Sequence, residues 1–163
     1  MTTRTKQTLT AVTALAVLIV VVAAVVLVAA LGRAEPRPPE ITAYANGKAI
    51  TVPPARYCTV RLLDCTEDEI AELDVPAGMP LQLSLPADIA DAPWRMLSVF
   101  STPNGQLVAV ERTYEEGSAP ALSVVSDREP PWQLNGVELQ LPGMVIDESG
   151  IPRAHAVWAI KTA

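Results

Sequence analysis

One histidine and two cysteines are all the sequence offers among the residue types that most often ligate metals or attack substrates. No Gly-x-Ser-x-Gly elbow marks a nucleophilic serine, so His155 has no triad to join. Cys58 and Cys65 are not spaced as Cys-x-x-Cys, and two thiols with one distant imidazole do not complete a zinc site. There is no glycine-rich phosphate loop and no EF-hand pattern of alternating aspartates. No cofactor and no metal is therefore expected. Basic charge is also scarce. The chain holds 12 Lys and Arg against 18 Asp and Glu. From residue 40 onward the count is 8 against 17, a balance of −9 that repels nucleic acid and excludes it as a partner. Aromatic residues make up only 4% of the chain, and every ring lies after residue 40.

Charge is missing altogether from one stretch, and there the absence is informative. Ala11–Leu31 is 21 residues of Val, Leu, Ile and Ala with a single Thr13. As a helix it would be about 31 Å long, the thickness of a bilayer core. Its 13 larger aliphatic residues favour insertion by about 4–8 kcal/mol. The run predicts a transmembrane helix over 11–31, with residues 1–10 before it. The competing reading is a cleaved export signal, whose apolar region is usually about 7–15 residues, with Gly32-Arg33-Ala34 as a weak cleavage site. Arg4 and Lys6 before the run balance Arg33 and Arg37 after it, so the basic residues leave orientation open. The cysteine pair adds an argument. A disulfide between Cys58 and Cys65 belongs to an oxidising compartment, and closing that loop stabilises a fold by about 2.5 kcal/mol; two buried thiols are the alternative. The resulting expectation is a single-pass protein of the cell membrane, with a cytoplasmic N-terminus and an extracytoplasmic C-terminal domain.

Residues 32–39 are proline-rich and read as a stiff linker. The remaining segment, 40–163, is long enough for one core. Its apolar residues repeat every second position at Leu81, Leu83 and Leu85, at Val137, Leu139 and Leu141, and at Ala156, Trp158 and Ile160, each series reading as a half-buried strand. Trp94–Ser101 and Leu107–Val110 are apolar on both faces and predict central strands. Asn46-Gly47 and Asn104-Gly105 predict hairpin turns, whereas Asn135-Gly136 fits either a turn or a glycine bulge. Thr66-Glu67-Asp68-Glu69, followed by Ile70, Ala71 and Leu73, has the form of a capping box and predicts a short helix. About eight or nine strands punctuated in this way imply an all-β domain, an immunoglobulin-like two-sheet sandwich, with a small β-barrel as the alternative.

The stretches EITAYANGK, YCTVRLLDC, LQLSLPADIADAPWRMLSVF, VELQLP and HAVWAIKT resemble an actinobacterial family of unknown function, number 2771 among such domains. The resemblance covers essentially the whole chain, including the N-terminal span, the cysteine pair and Ala92-Pro93-Trp94. It implies an envelope protein and carries over no catalytic or binding residue.

Carboxylates gather at Glu67, Asp68, Glu69, Glu72 and Asp74, at Glu115-Glu116 and at Asp147-Glu148. Their positions at turns and on the expected helix read as solvated surface. Asp88 and Asp91 read as the end of one strand and the start of the next, and His155 as a strand residue facing solvent, opposite to Trp158. The favoured function is a non-catalytic binding or interaction module that meets another envelope protein, a wall polymer or a lipid. Trp132 and Tyr114 are its candidate interaction surface. A carrier for an apolar ligand is the alternative, with strands such as Trp94–Ser101 lining a cavity, and an acid-based hydrolase the third reading.

Overall fold

The computed structural model describes residues 3–31 and 37–163, with side chains in the first helix described over 15–29. The chain divides into two compact units, Met1–Arg37 and Pro38–Ala163. The first is helix α1, Thr3–Leu31. It ends where the apolar run ends, and its described side chains are exposed, Leu15 at 58% and Val28 at 70% among them. No helix among the described residues is long and apolar enough to cross a membrane. Of the expected linker, 32–36 lies outside the described residues.

The second unit is built from period-two strands. Strands β1 (Ile41–Ala45) and β2 (Lys48–Val52) form a hairpin about Asn46 and Gly47. Both turn residues have positive φ, 49° and 77°, the geometry whose twist matches that of the flanking strands. The short β3 (Arg56–Tyr57), β4 (Thr66–Glu67) and β5 (Ala71–Glu72) follow, then β6 (Leu81–Ser84) and the single-turn helix α2 (Ala87–Ala90). Next come β7 (Trp94–Ser101), β8 (Leu107–Tyr114), β9 (Ala121–Val124), β10 (Gln133–Ile146) and β11 (Pro152–Lys161). Two sheets result. One is four-stranded, in the order β2-β1-β6-β9; the other is seven-stranded, β4-β3-β11-β10-β7-β8, with β5 beside β11. Neither closes into a barrel.

The inward faces meet in one core. Ile41, Ala43, Leu81 and Leu83 from the first sheet pack in the same cluster as Trp94, Met96, Leu139 and Trp158 from the second. Trp94 and Trp158 are 0% and 1% exposed. Burying a ring of that size contributes at most about 4–6 kcal/mol of transfer free energy. The Trp158 indole N–H donates to the Pro39 carbonyl at 2.9 Å, so its polar edge is satisfied.

Four expectations need correction. Residues 66–73 are not a helix. Thr66 and Glu67 pair with Tyr57 and Arg56, and Ala71 and Glu72 run parallel to Ile160 and Lys161. The Leu73 and Val75 amides then donate to Lys161 and Thr162, which buries Leu73 and Val75. The Thr66 hydroxyl donates to the Tyr57 carbonyl instead of capping a helix. Long-range pairing has overridden a local signal worth only about 1 kcal/mol. Leu107–Val110 belongs to β8, an edge strand rather than a central one. Trp94–Ser101 does lie between two strands, but its faces differ, with Trp94, Met96, Ser98 and Phe100 buried and the alternate residues half-buried. The strands number eleven among the described residues, three of them only two residues long. Asn135-Gly136 lies inside β10, where the register with β7 shifts between Leu134 and Gly136, so the bulge alternative holds.

Candidate functional site on the outer sheet faces

Cys58 and Cys65 form a disulfide with an S–S distance of 2.06 Å. The loop it closes is sewn to the body of the domain. The Cys58 amide donates to the His155 carbonyl, and the Met144 amide to the Val60 carbonyl at 2.7 Å. Gly143 makes this approach possible, because a Cβ there would stand 2.9 Å from the Val60 oxygen and 3.0 Å from that of Arg153. His155 is half-buried rather than open to solvent, with its Nδ1 3.2 Å from the Cys58 carbonyl and its ring against Tyr57. It serves the loop's attachment.

The two aromatic candidates do not form one surface. Tyr114 is half-buried and stacks on Trp94 at 3.9 Å, nearly parallel. Trp132 is also half-buried, packs against the core and lies under the Arg128 guanidinium at 5.2 Å. Tyr114 pairs with Trp94 at one end of β7, while Gln133, next to Trp132, pairs with Ser101 at the other. Seven steps of about 3.3 Å put them some 23 Å apart. Both rings face inward parts of the fold, so they are not the free-standing patch their side chains alone suggest.

The carboxylates are also dispersed. Among the described residues no group of three or more His, Cys, Asp or Glu could hold a metal ion. Asp147 accepts the Ser149 and Ile151 amides within the β10–β11 turn. Glu72 pairs with Lys161 at 3.0 Å.

The concave surfaces lie elsewhere, on the outward faces of the sheets. On the seven-stranded sheet, Leu97 and Val99 of β7, Gly136 of β10 and Ala159 of β11 form the floor of an open groove of about 520 Å³. Ile70, 58% exposed, flanks it, and Glu138 and the Glu72–Lys161 pair supply charge. The bulge at Gly136 shapes this floor, since a Cβ there would meet the Ile160 oxygen at 3.0 Å. Further along the face, Arg95 lies 3.7 Å from Glu111 and donates to Gln140.

The four-stranded sheet is different in kind. Its registers align two rows across all four strands: Thr51, Thr42, Ser84 and Ala121, then Ala49, Tyr44, Gln82 and Ser123. All eight residues are exposed. Six bear a hydroxyl or an amide, and none carries a charge at neutral pH. Among the described residues none of these six side chains takes part in a hydrogen bond within the protein. Tyr44 stands among small neighbours, beside a shallow concavity of about 340 Å³. The sequence shows this alternation of outward polar positions, but only the register shows that they form a continuous array.

Comparison with known proteins gives one consistent result. The family described as "Protein of unknown function (DUF2771)" matches residues 34–163. The uncharacterized protein Rv0875c of Mycobacterium tuberculosis (strain ATCC 25618 / H37Rv) is 35% identical over 130 residues, covering 77% of this chain and 78% of its own length. The uncharacterized protein Mb0899c of Mycobacterium bovis shows the same identity and coverage. No solved structure matches.

Proposed function

The chain belongs to the DUF2771 family of proteins of unknown function, and from that premise we propose that it is a non-catalytic binding module of the cell envelope, held at the membrane by its N-terminal helix. The single observation that carries the binding role is the apolar groove on the outer face of the seven-stranded sheet. Half-buried Leu97 and Val99 face it with no covering element among the residues that line it. An apolar concavity rimmed by polar groups is the usual form of a recognition surface. The anchor is supported by the uncharged run Ala11–Leu31 within the helix Thr3–Leu31. An extracytoplasmic location is supported by the disulfide. An immunoglobulin-like arrangement is the accompanying fold reading, supported by two largely antiparallel sheets over one core.

The second reading, a carrier of an apolar ligand, uses the same groove. The inward residues of β7 pack against the opposite sheet, so the apolar outward residues Leu97 and Val99 are the ones available to such a ligand. Native mass spectrometry of the full chain, extracted gently from its own membrane, separates the readings. A protein-sized added mass that disappears in Leu97→Asp supports the interaction module, and a lipid-sized one that disappears supports the carrier. An added mass unchanged by Leu97→Asp would remove the groove from either account.

A further inference from the structure

We propose that the outer face of the four-stranded sheet is a binding site for a linear, neutral glycan strand. This goes beyond the groove reading and does not depend on it. The domain carries 25 charged side chains, 8 basic and 17 acidic, from residue 40 onward, yet none stands at any of the eight outward positions of this sheet. An ionic ligand would therefore find no counter-charge on this face. A lipid would find only a small apolar floor: among the eight outward positions Tyr44, 45% exposed, is the one large side chain with an apolar body, with Leu83 and Leu122 beneath it at the concavity. What the face does offer is a regular supply of groups that both donate and accept hydrogen bonds: the hydroxyls of Thr42, Thr51, Ser84 and Ser123 and the amide of Gln82.

That combination complements a sugar chain, which presents alternating hydroxyl edges and C–H faces. The C–H face of a ring can lie on Tyr44, a side chain with an apolar body and a polar tip. Its hydroxyls then meet the neighbouring Gln82, which pairs across the strands with both Tyr44 and Ser123. Four strands spaced by about 4.8 Å give a row of about 14 Å, long enough for a short oligosaccharide lying across the strands. Ala121 and the serines leave room beside the ring, which is the concavity of about 340 Å³. The groups are held on strands, and Ser and Thr are short, so little side-chain freedom is lost on binding.

The test uses the full chain in a non-glycosidic detergent. The probes are linear neutral gluco-, manno- and xylo-oligosaccharides of increasing length, with heparin and polygalacturonate as charged controls. At least one neutral series should bind, with affinity rising with chain length and unchanged by added salt. Tyr44→Ala should weaken binding about tenfold or more, the loss expected of a central aromatic anchor, while Tyr44→Phe, which keeps the ring, should bind nearly as the parent does. Gln82→Ala provides a second variant if Tyr44→Ala does not fold. Leu97→Asp, on the opposite sheet, should bind these glycans normally, so a failure of the groove and a failure of this site are distinguishable. The proposal is overturned if no neutral series binds, if the charged polymers bind preferentially and lose affinity with salt, or if folded Tyr44→Ala matches the parent. Affinity independent of chain length would overturn the strand assignment and point to an isolated sugar head group.

Discussion

The two outer faces of this domain share one core and one rule of alternation, yet they present opposite chemistry. On the seven-stranded sheet the outward positions hold Leu97, Val99 and Ala159 among paired charges, with a bulge at Gly136. On the four-stranded sheet they hold hydroxyls, an amide and one exposed tyrosine, in unbroken register. The inward residues do not explain the contrast, because Leu83 and Leu139 serve the same core. Burial constrains every second residue and leaves the alternate ones open to other demands. The difference between the faces therefore does not come from the packing of the core.

The strongest way to break the comparison is to remove what the faces share. Trp158→Ala should cost about 3–5 kcal/mol, read by urea unfolding, and should reduce binding at both faces together. If one face kept full activity in a protein so destabilised, the two sheets would not depend on a common core. Removing the disulfide with Cys58→Ser and Cys65→Ser should cost about 2.5 kcal/mol. Its structural effect belongs to one side: hydrogen exchange should rise at Val60 and Met144 and remain unchanged at Thr42 and Ser84. Equal acceleration on both sheets would contradict that division. Filling the bulge with Gly136→Val forces the Ile160 carbonyl aside, a change of about 1–3 kcal/mol for overpacking. It should abolish groove binding while glycan retention persists. The smallest effect expected is at the groove rim. Lys161→Ala removes an exposed ion pair with Glu72 and should change the unfolding midpoint by the equivalent of about 0–1 kcal/mol. A larger loss would mean that Lys161 has a role in holding β5 beside β11.

Much of the architecture is legible in the residues. Asn46-Gly47 and Asn104-Gly105 mark two of the hairpins, because their backbone preferences are local. The alternation at Leu81 and Leu83 and at Leu139 and Leu141 gives the buried face directly. Thr66–Leu73 misleads for the opposite reason: its conformation is decided by pairing outside the segment, Thr66 and Glu67 with Tyr57 and Arg56, and Ala71 and Glu72 with Ile160 and Lys161 almost 90 residues away in sequence. Leu107–Val110 has the composition of an interior strand, and only the sheet order reveals it as an edge. The candidate surface was the least accessible. Tyr114 and Trp132 stand out by type, but Tyr114 is occupied by Trp94 and Trp132 by the core and Arg128. Thr42 and Ser84, individually unremarkable, become significant only when the register makes them neighbours.

The hydrogen bond from Trp158 to Pro39 has a mechanical consequence. Tension applied to the chain ahead of Pro39 is delivered through that bond to β11, which lies between β3 and β10, and through the backbone to β1, which lies between β2 and β6. Neither strand is at an edge, so the first strands to feel such a pull are each held by neighbours on both sides. The chain therefore enters the domain against interior strands of both sheets and not at a peripheral one.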